Sequence, residues 1–148
     1  KYLEMILISS GYLIRLYLGS YVIEVQTSFL LSISVFSLSL FVISLKRSLE
    51  VLKQETSRIK SLNYTNNFLN FITIINGLIF LFCTLIFIII SNNLLILIFP
   101  FLVFVVYEYY KISHQKKMGE FPIDLILQEK KLLFSCLIIM FITILFYM

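Results

Sequence analysis

The sequence is poor in charge. Only 14% of its 148 residues are Asp, Glu, Lys or Arg, and 60% are hydrophobic, whereas charged residues make up about a quarter of soluble proteins. This composition excludes an ordinary soluble domain and indicates an integral membrane protein. A few long apolar runs cannot close a β-barrel, so the spanning segments must be helical. The predicted fold class is therefore an all-α integral membrane protein.

Common catalytic and metal-binding patterns are also missing. The two cysteines, Cys83 and Cys136, fall in separate apolar runs, which favours buried small residues over a disulfide or metal pair. The single histidine, His114, is interpreted as a surface loop residue. There is no Gly-rich phosphate loop, no CxxC pair and no Ser/His/Asp constellation. The sequence therefore leaves the catalytic residues unidentified.

Five apolar runs are present, each close to the roughly 20 residues that a helix needs to cross a bilayer. The predicted spans are about 2–22, 27–45, 67–90, 94–110 and 131–148. The first run lacks a signal-peptide cleavage pattern and is retained as mature structure. Because the chain begins at Lys1 rather than at a methionine, we expect it to be a fragment of a longer protein.

The distribution of positive charge predicts the orientation in the membrane. Ten of the twelve Lys and Arg residues fall in or beside the two long connections, about 46–66 and 111–130, and none falls in the two short turns. The positive-inside rule then places both long loops in the cytoplasm. We expect a plasma-membrane protein whose partner is the lipid bilayer. Nucleic acid is not an expected partner, because membrane orientation accounts for the net charge of +4.

The second predicted span is rich in serine. Small residues at helical spacing let helices approach closely and hydrogen-bond across their interface. The serines in or beside this span are Ser28, Ser32, Ser34, Ser37, Ser39 and Ser44. The sequence therefore predicts that this helix packs closely against a neighbour.

A charged stretch, LKRSLEVLKQETSRIKSLNY, occupies residues 45–64. Its apolar positions, including Leu45 and Leu49, recur at helical spacing, which is compatible with an amphipathic helix on the bilayer surface. A solvated cytoplasmic loop is the other interpretation. Arg47 and Glu50 lie at i,i+3, a spacing that allows an ion pair worth a few tenths of a kcal/mol.

Arg15 lies within the first predicted span. An arginine there costs at least about 2.5 kcal/mol on insertion scales, so it either extends to the interface or faces a partner or a wet cavity. Glu4 lies on the same side of the helix, roughly 16 Å away. Both residues could line one polar cavity beneath the basic loop, an arrangement that suits an anionic ligand.

Several motifs resemble, in order and spacing, the C-terminal half of UbiA-superfamily membrane transferases. They are GYLIRLYLGS (11–20), Ser28, KRSLE (46–50), Arg58 followed by Tyr64, and EFPIDLILQEK (120–130). The closest similarity is to the branch that includes decaprenyl-phosphate phosphoribosyltransferase. The resemblance covers essentially all 148 residues, as crossings five to nine of a nine-helix bundle.

This resemblance implies a central cavity open to lipid, a cytoplasmic cap, and transfer of a phosphoribosyl group from phosphoribosyl pyrophosphate to a polyprenyl phosphate. It implies Mg²⁺ as cofactor, bound to the pyrophosphate, with Glu50 orienting the phosphates or helping to hold the metal. The substrate-binding residues that it implies are Arg15, Lys46, Arg47, Glu50, Arg58 and Tyr64.

The sequence departs from the family pattern in several places. The loop carries no second aspartate-rich motif, Glu4 and Glu108 stand where aspartate and arginine are expected, and residues 128–130 replace a basic, Asp, Arg run. The family's first aspartate-rich motif belongs to the missing N-terminal half, so we expect this chain alone to be inactive. Two alternatives remain: a UbiA prenyltransferase using a prenyl diphosphate, and a non-catalytic membrane subunit or transporter piece.

Overall fold

A computed structural model describes residues 3–53, 66–91, 93–116 and 122–147. In these residues 94% of positions are helical and no strand occurs, which confirms the all-α prediction. The elements are α1 (Leu3–Val22), α2 (Phe29–Lys53), α3 (Asn66–Ser91), a 3-10 helix (Asn93–Ile98), α4 (Phe99–Lys116), α5 (Pro122–Gln128) and α6 (Lys130–Tyr147).

Four segments are long and apolar enough to cross a membrane. They are Leu3–Val22, Phe29–Val51, Asn67–Ser91 and Leu95–Gln115, and they correspond to the first four predicted spans. Such segments indicate an integral membrane protein. The fifth predicted segment forms α6, and its crossing of the bilayer stays a prediction.

Helices extend further into the long connections than the sequence suggested. α2 continues to Lys53 and α4 to Lys116, and α5 lies within the predicted loop 111–130. Leu45 and Leu49 are buried, so residues 45–53 continue the packed face of α2 rather than forming a separate surface helix. Residues 54–65, the rest of that amphipathic segment, lie outside the described part of the chain.

The chain turns sharply between α1 and α2. Val25 N–H donates to the Ser20 carbonyl at 3.0 Å and Glu24 N–H donates to the Tyr21 carbonyl at 3.3 Å, the hydrogen-bond pattern of a Schellman motif. Glu24 takes the left-handed conformation that this motif requires, with φ 55°. The Ser28 hydroxyl then accepts a hydrogen bond from Leu31 N–H at 3.1 Å and caps α2.

Residues 1–84 form one compact unit, called unit 1. Met5 of α1 and Leu69 of α3 are buried in its core, where Leu40, Ile43 and Val51 of α2 pack against them. Most of the remaining apolar side chains of α1 are exposed. Exposed apolar surface of this kind is expected on a helix that faces lipid.

Residues 85–148 form a second compact unit, called unit 2. Its core contains Ile88, Leu95 and Ile98, with Leu102, Ile139 and Ile142 packed against them. Pro100 is the second residue of α4, where a missing backbone N–H breaks no hydrogen bond within the helix. The proline therefore marks the transition from the 3-10 helix to α4.

The predictions for the cysteines and for the histidine have different outcomes. Both cysteines are free thiols. The prediction of a buried residue is confirmed for Cys83, whereas Cys136 is only half-buried. The interpretation of His114 as a surface loop residue is wrong. It lies within α4, half-buried, with its ring centroid 4.7 Å from that of Tyr110.

Candidate functional site

Three charged side chains meet where the start of α1 faces the end of α2. Arg47 donates through Nη2 to Glu4 Oε1 and through Nη1 to Glu50 Oε2, each at 2.6 Å. The side chains of Arg47, Glu4 and Glu50 are 14%, 29% and 13% exposed, so these charge-assisted hydrogen bonds are partly shielded from water. We call Glu4, Arg47 and Glu50 the ion triad.

The pairing of the two helices brings the triad together. Tyr17, near the end of α1, lies 2.9 Å (Oη to Oγ) from Ser32, near the start of α2, whereas Glu4 and Arg47 meet at the opposite ends of the same helices. α1 and α2 are therefore antiparallel neighbours. Glu50 reaches Arg47 along α2 itself, which confirms the predicted i,i+3 pair.

A second set of polar contacts joins α2 to α3 beside the triad. Ser48 donates to Asn70 Oδ1 at 2.5 Å, and the hydroxyl of Thr73 lies 2.9 Å from that of Ser44. Ser44 and Ser48 are one helical turn apart, so they form one polar strip on α2. This strip contacts α3, while Arg47, which precedes Ser48, reaches Glu4 of α1.

Three further serines of α2 donate hydrogen bonds within their own helix. Ser34 donates to the Leu30 carbonyl at 2.8 Å, Ser37 to the Ser34 carbonyl at 3.0 Å and Ser39 to the Phe36 carbonyl at 2.8 Å. All three are buried. They therefore allow close packing without leaving an unpaired hydroxyl in an apolar environment, as predicted for small residues at a helix interface.

Arg15 lies apart from the ion triad. Eleven residues separate it from Glu4 on α1, roughly 16 Å along the helix axis. Its side chain is exposed, and its guanidinium Cζ lies 5.3 Å from the ring centroid of Tyr12, a cation-π distance. Gly11 and Gly19 flank it one turn away on each side, with no atom within 4 Å of a Cβ built at either position.

The predicted binding residues are thus only partly brought together. Arg47 and Glu50 lie in direct contact, and Lys46 is half-buried beside them on α2. Arg58 and Tyr64 lie outside the described residues. Binding of an anion by these residues stays a prediction, because the guanidinium of Arg47 is already held by two carboxylates.

Sequence reasoning missed the contact between Glu4 and Arg47, and it missed Ser48, Asn70 and Thr73. A signal for the second group was present, because Ser44 and Ser48 are spaced i,i+4 and Asn70 and Thr73 are spaced i,i+3, which places each pair on one helix face. The contact between Glu4 and Arg47 depends on how α1 and α2 are aligned, and residue spacing within a single helix does not reveal this alignment.

The two carboxylates of the triad are potential donors to Mg²⁺. In the described residues no group of three or more His, Cys, Asp or Glu side chains could hold a metal ion. Mg²⁺ is often bound by one or two carboxylates, with substrate phosphates and water completing the shell. Glu4 and Glu50 fit that pattern in the type and number of their donors, although both now bind Arg47.

Comparison of the chain with known protein families, with curated proteins and with solved structures finds no match.

Proposed function

We propose that this chain is part of a UbiA-like integral-membrane transferase that moves a phosphoribosyl group from phosphoribosyl pyrophosphate to a polyprenyl phosphate. In this proposal α6 is a fifth span of a nine-helix bundle, the protein lies in the plasma membrane, and both long loops are cytoplasmic. The observation that carries the proposal is the ion triad. It holds Arg47 and Glu50 together at one end of two apolar helices.

The proposed chemistry assigns separate roles to the charged groups. As the bond between ribose C1 and the pyrophosphate oxygen breaks, negative charge grows on the pyrophosphate, and fixed cations stabilise it. Lys46 and Arg47 would supply those cations. Mg²⁺, when bound, would add Lewis-acid stabilisation of the same group, with Glu50 and Glu4 as its candidate protein ligands.

Arg47 must change partners in this scheme. It is held by two carboxylates, so a pyrophosphate would replace at least one of them as acceptor. The exchange would release Glu4 or Glu50 at the point where a metal ion would arrive with the phosphates. Lys46 would not need to exchange a carboxylate in this way, because the ion pairs described at this site do not include its ammonium group.

The test uses membranes that contain the full-length protein, with radiolabelled phosphoribosyl pyrophosphate and a prenyl diphosphate offered as alternative donors, each with its acceptor and Mg²⁺. Transfer of label into lipid from phosphoribosyl pyrophosphate alone supports the proposal. Lys46→Ala should then raise the donor KM at least tenfold, while Lys111→Ala, a matched change at an exposed lysine on α4, should leave it unchanged. Wild-type donor KM and turnover in Lys46→Ala would contradict the assigned role.

A non-catalytic membrane subunit is the second candidate, and one observation favours it. The charges of Glu4, Arg47 and Glu50 are mutually satisfied, as expected if the triad only fastens α1 to α2. In that case neither donor labels lipid. Label from the prenyl diphosphate alone would instead identify a prenyltransferase.

A further inference from the structure

A cavity of about 440 Å³, largely open to the outside, lies between two helices of unit 2. Phe101 and Phe104 of α4 line it on one side, and Phe134 and Ser135 of α6 line it on the other, with Lys131 also in the wall. This volume falls within the range of about 300–1,000 Å³ found for small-molecule sites. Its lining residues all belong to unit 2, whereas the residues of the ion triad belong to unit 1.

The walls of the cavity are apolar apart from one cation. The Ser135 hydroxyl lies 3.0 Å from the Lys131 carbonyl and 2.9 Å from the Leu132 carbonyl, so its hydrogen is used within α6. Three phenylalanines, Pro100 and Ile138 complete the lining. A lysine can lay its apolar stem along such a surface and extend its ammonium towards water. The cavity therefore suits a ligand with a long apolar part and one negative charge.

The surroundings indicate that the ligand comes from the bilayer. α4 belongs to the candidate membrane span Leu95–Gln115. On α6, Phe134 and Leu137 are 67% and 53% exposed, so large apolar side chains continue from the cavity to the outer surface of the helix. An apolar rim of this kind admits a lipid chain sideways, whereas a water-soluble ligand would have to cross it.

We propose that this cavity holds one acyl chain of an anionic membrane phospholipid, with the phosphate of its headgroup at Lys131. The local charge favours an anion, because residues 129–131 carry one glutamate and two lysines. A single cation at one end of an apolar slot matches a single phosphate attached to a hydrocarbon chain. This site is independent of the proposed transfer reaction and requires neither donor nor metal.

The test is native mass spectrometry of the purified chain in detergent, titrated with phosphatidylglycerol or phosphatidylcholine of identical acyl chains. Phosphatidylglycerol should be retained more tightly. Lys131→Gln should weaken its binding about fivefold, the effect of one lysine near a lipid headgroup, and should abolish the preference. Lys130→Gln is the matched control. It removes the same charge from the neighbouring residue, and the side chain of Lys130 is exposed and does not line the cavity.

A second variant tests the apolar part of the site. Phe134→Ala shortens a cavity wall at an exposed side chain, so the fold should persist, and binding of both phospholipids should weaken. Equal losses in Lys130→Gln and Lys131→Gln, or no preference for the anionic lipid in the wild-type chain, would overturn the proposal. Retention of a polyprenyl phosphate in preference to phosphatidylglycerol, weakened by Lys131→Gln and by Phe134→Ala, would overturn the choice of ligand.

Discussion

The two compact units use different contacts to hold their helices together. In unit 1, polar side chains connect α1, α2 and α3 through Glu4 with Arg47, Ser48 with Asn70, and Ser44 with Thr73. In unit 2, the described core is made by isoleucine and leucine side chains from α3, the 3-10 helix, α4 and α6. Unit 1 thus adds directional contacts to its apolar core, whereas the described core of unit 2 depends on the shapes of its side chains.

This difference matters because lipid is about as apolar as a leucine side chain. Association of membrane helices therefore depends on packing and on interhelical hydrogen bonds rather than on hydrophobic burial. Polar contacts require one alignment of the helices, because a shift of one residue would separate each donor from its acceptor. Isoleucine and leucine contacts tolerate small shifts, and such tolerance is compatible with a cavity between α4 and α6.

The largest effect is expected from removing a core side chain in unit 2. Leu132 is 0% exposed, so Leu132→Ala should lower the free energy of unfolding by about 3 kcal/mol through lost contacts and a new void. Denaturation in mixed micelles of mild detergent and dodecyl sulfate measures the change. Leu137→Ala, at a 53% exposed position of the same helix, should have little effect. Equal destabilisation by both variants would show that packing around Leu132 is not what stabilises unit 2.

An intermediate effect is expected from breaking the ion triad. Arg47→Ala leaves the carboxylates of Glu4 and Glu50 without their guanidinium and should cost about 2 kcal/mol, less than a fully buried pair because Glu4 retains contact with water. The same unfolding assay measures this cost. Adding Glu4→Gln and Glu50→Gln to Arg47→Ala should restore part of the stability, since no unpaired charge then remains. A triple variant as unstable as the single one would contradict this explanation.

The smallest effect is expected from one hydroxyl between α2 and α3. Thr73→Val removes the contact with Ser44 and should cost about 0.6 kcal/mol, the average for hydrogen bonds between membrane helices. Thr84→Val is the control, because Thr84 donates only to carbonyls of its own helix among the contacts described for it. If the two substitutions cost the same, the contact between Thr73 and Ser44 would not contribute to the packing of α2 against α3 in unit 1.

Much of the helical architecture was predictable from the sequence. Apolar runs of about 20 residues gave the positions of α1 and α3 to within a residue or two, because hydrocarbon thickness sets the length of a spanning helix. The end of α2 was harder to predict. Lys46, Arg47 and Glu50 reduce hydropathy and indicate a loop, yet they lie in α2 because Leu45 and Leu49 remain packed on its other side.

The candidate site was less predictable. The pair Arg47 and Glu50 followed from i,i+3 spacing, since such contacts form within one helix. The contact of Arg47 with Glu4 of α1 could not be predicted from spacing. It forms only when α1 and α2 lie antiparallel in the alignment that also brings Tyr17 to Ser32. The cavity beside Lys131 depends on the side-chain shapes of two helices, which periodicity in either helix cannot supply.

The closed turn at Glu24 has a consequence for how the protein enters the bilayer. The Schellman motif ends α1, and Ser28 caps α2 four residues later, so the two helix ends stay close together. If both helices cross a bilayer, so short a connection makes them a hairpin whose free ends lie on one side. Glu4 and Arg47, near those free ends, would then reach that side as an ion pair rather than as two separate ions.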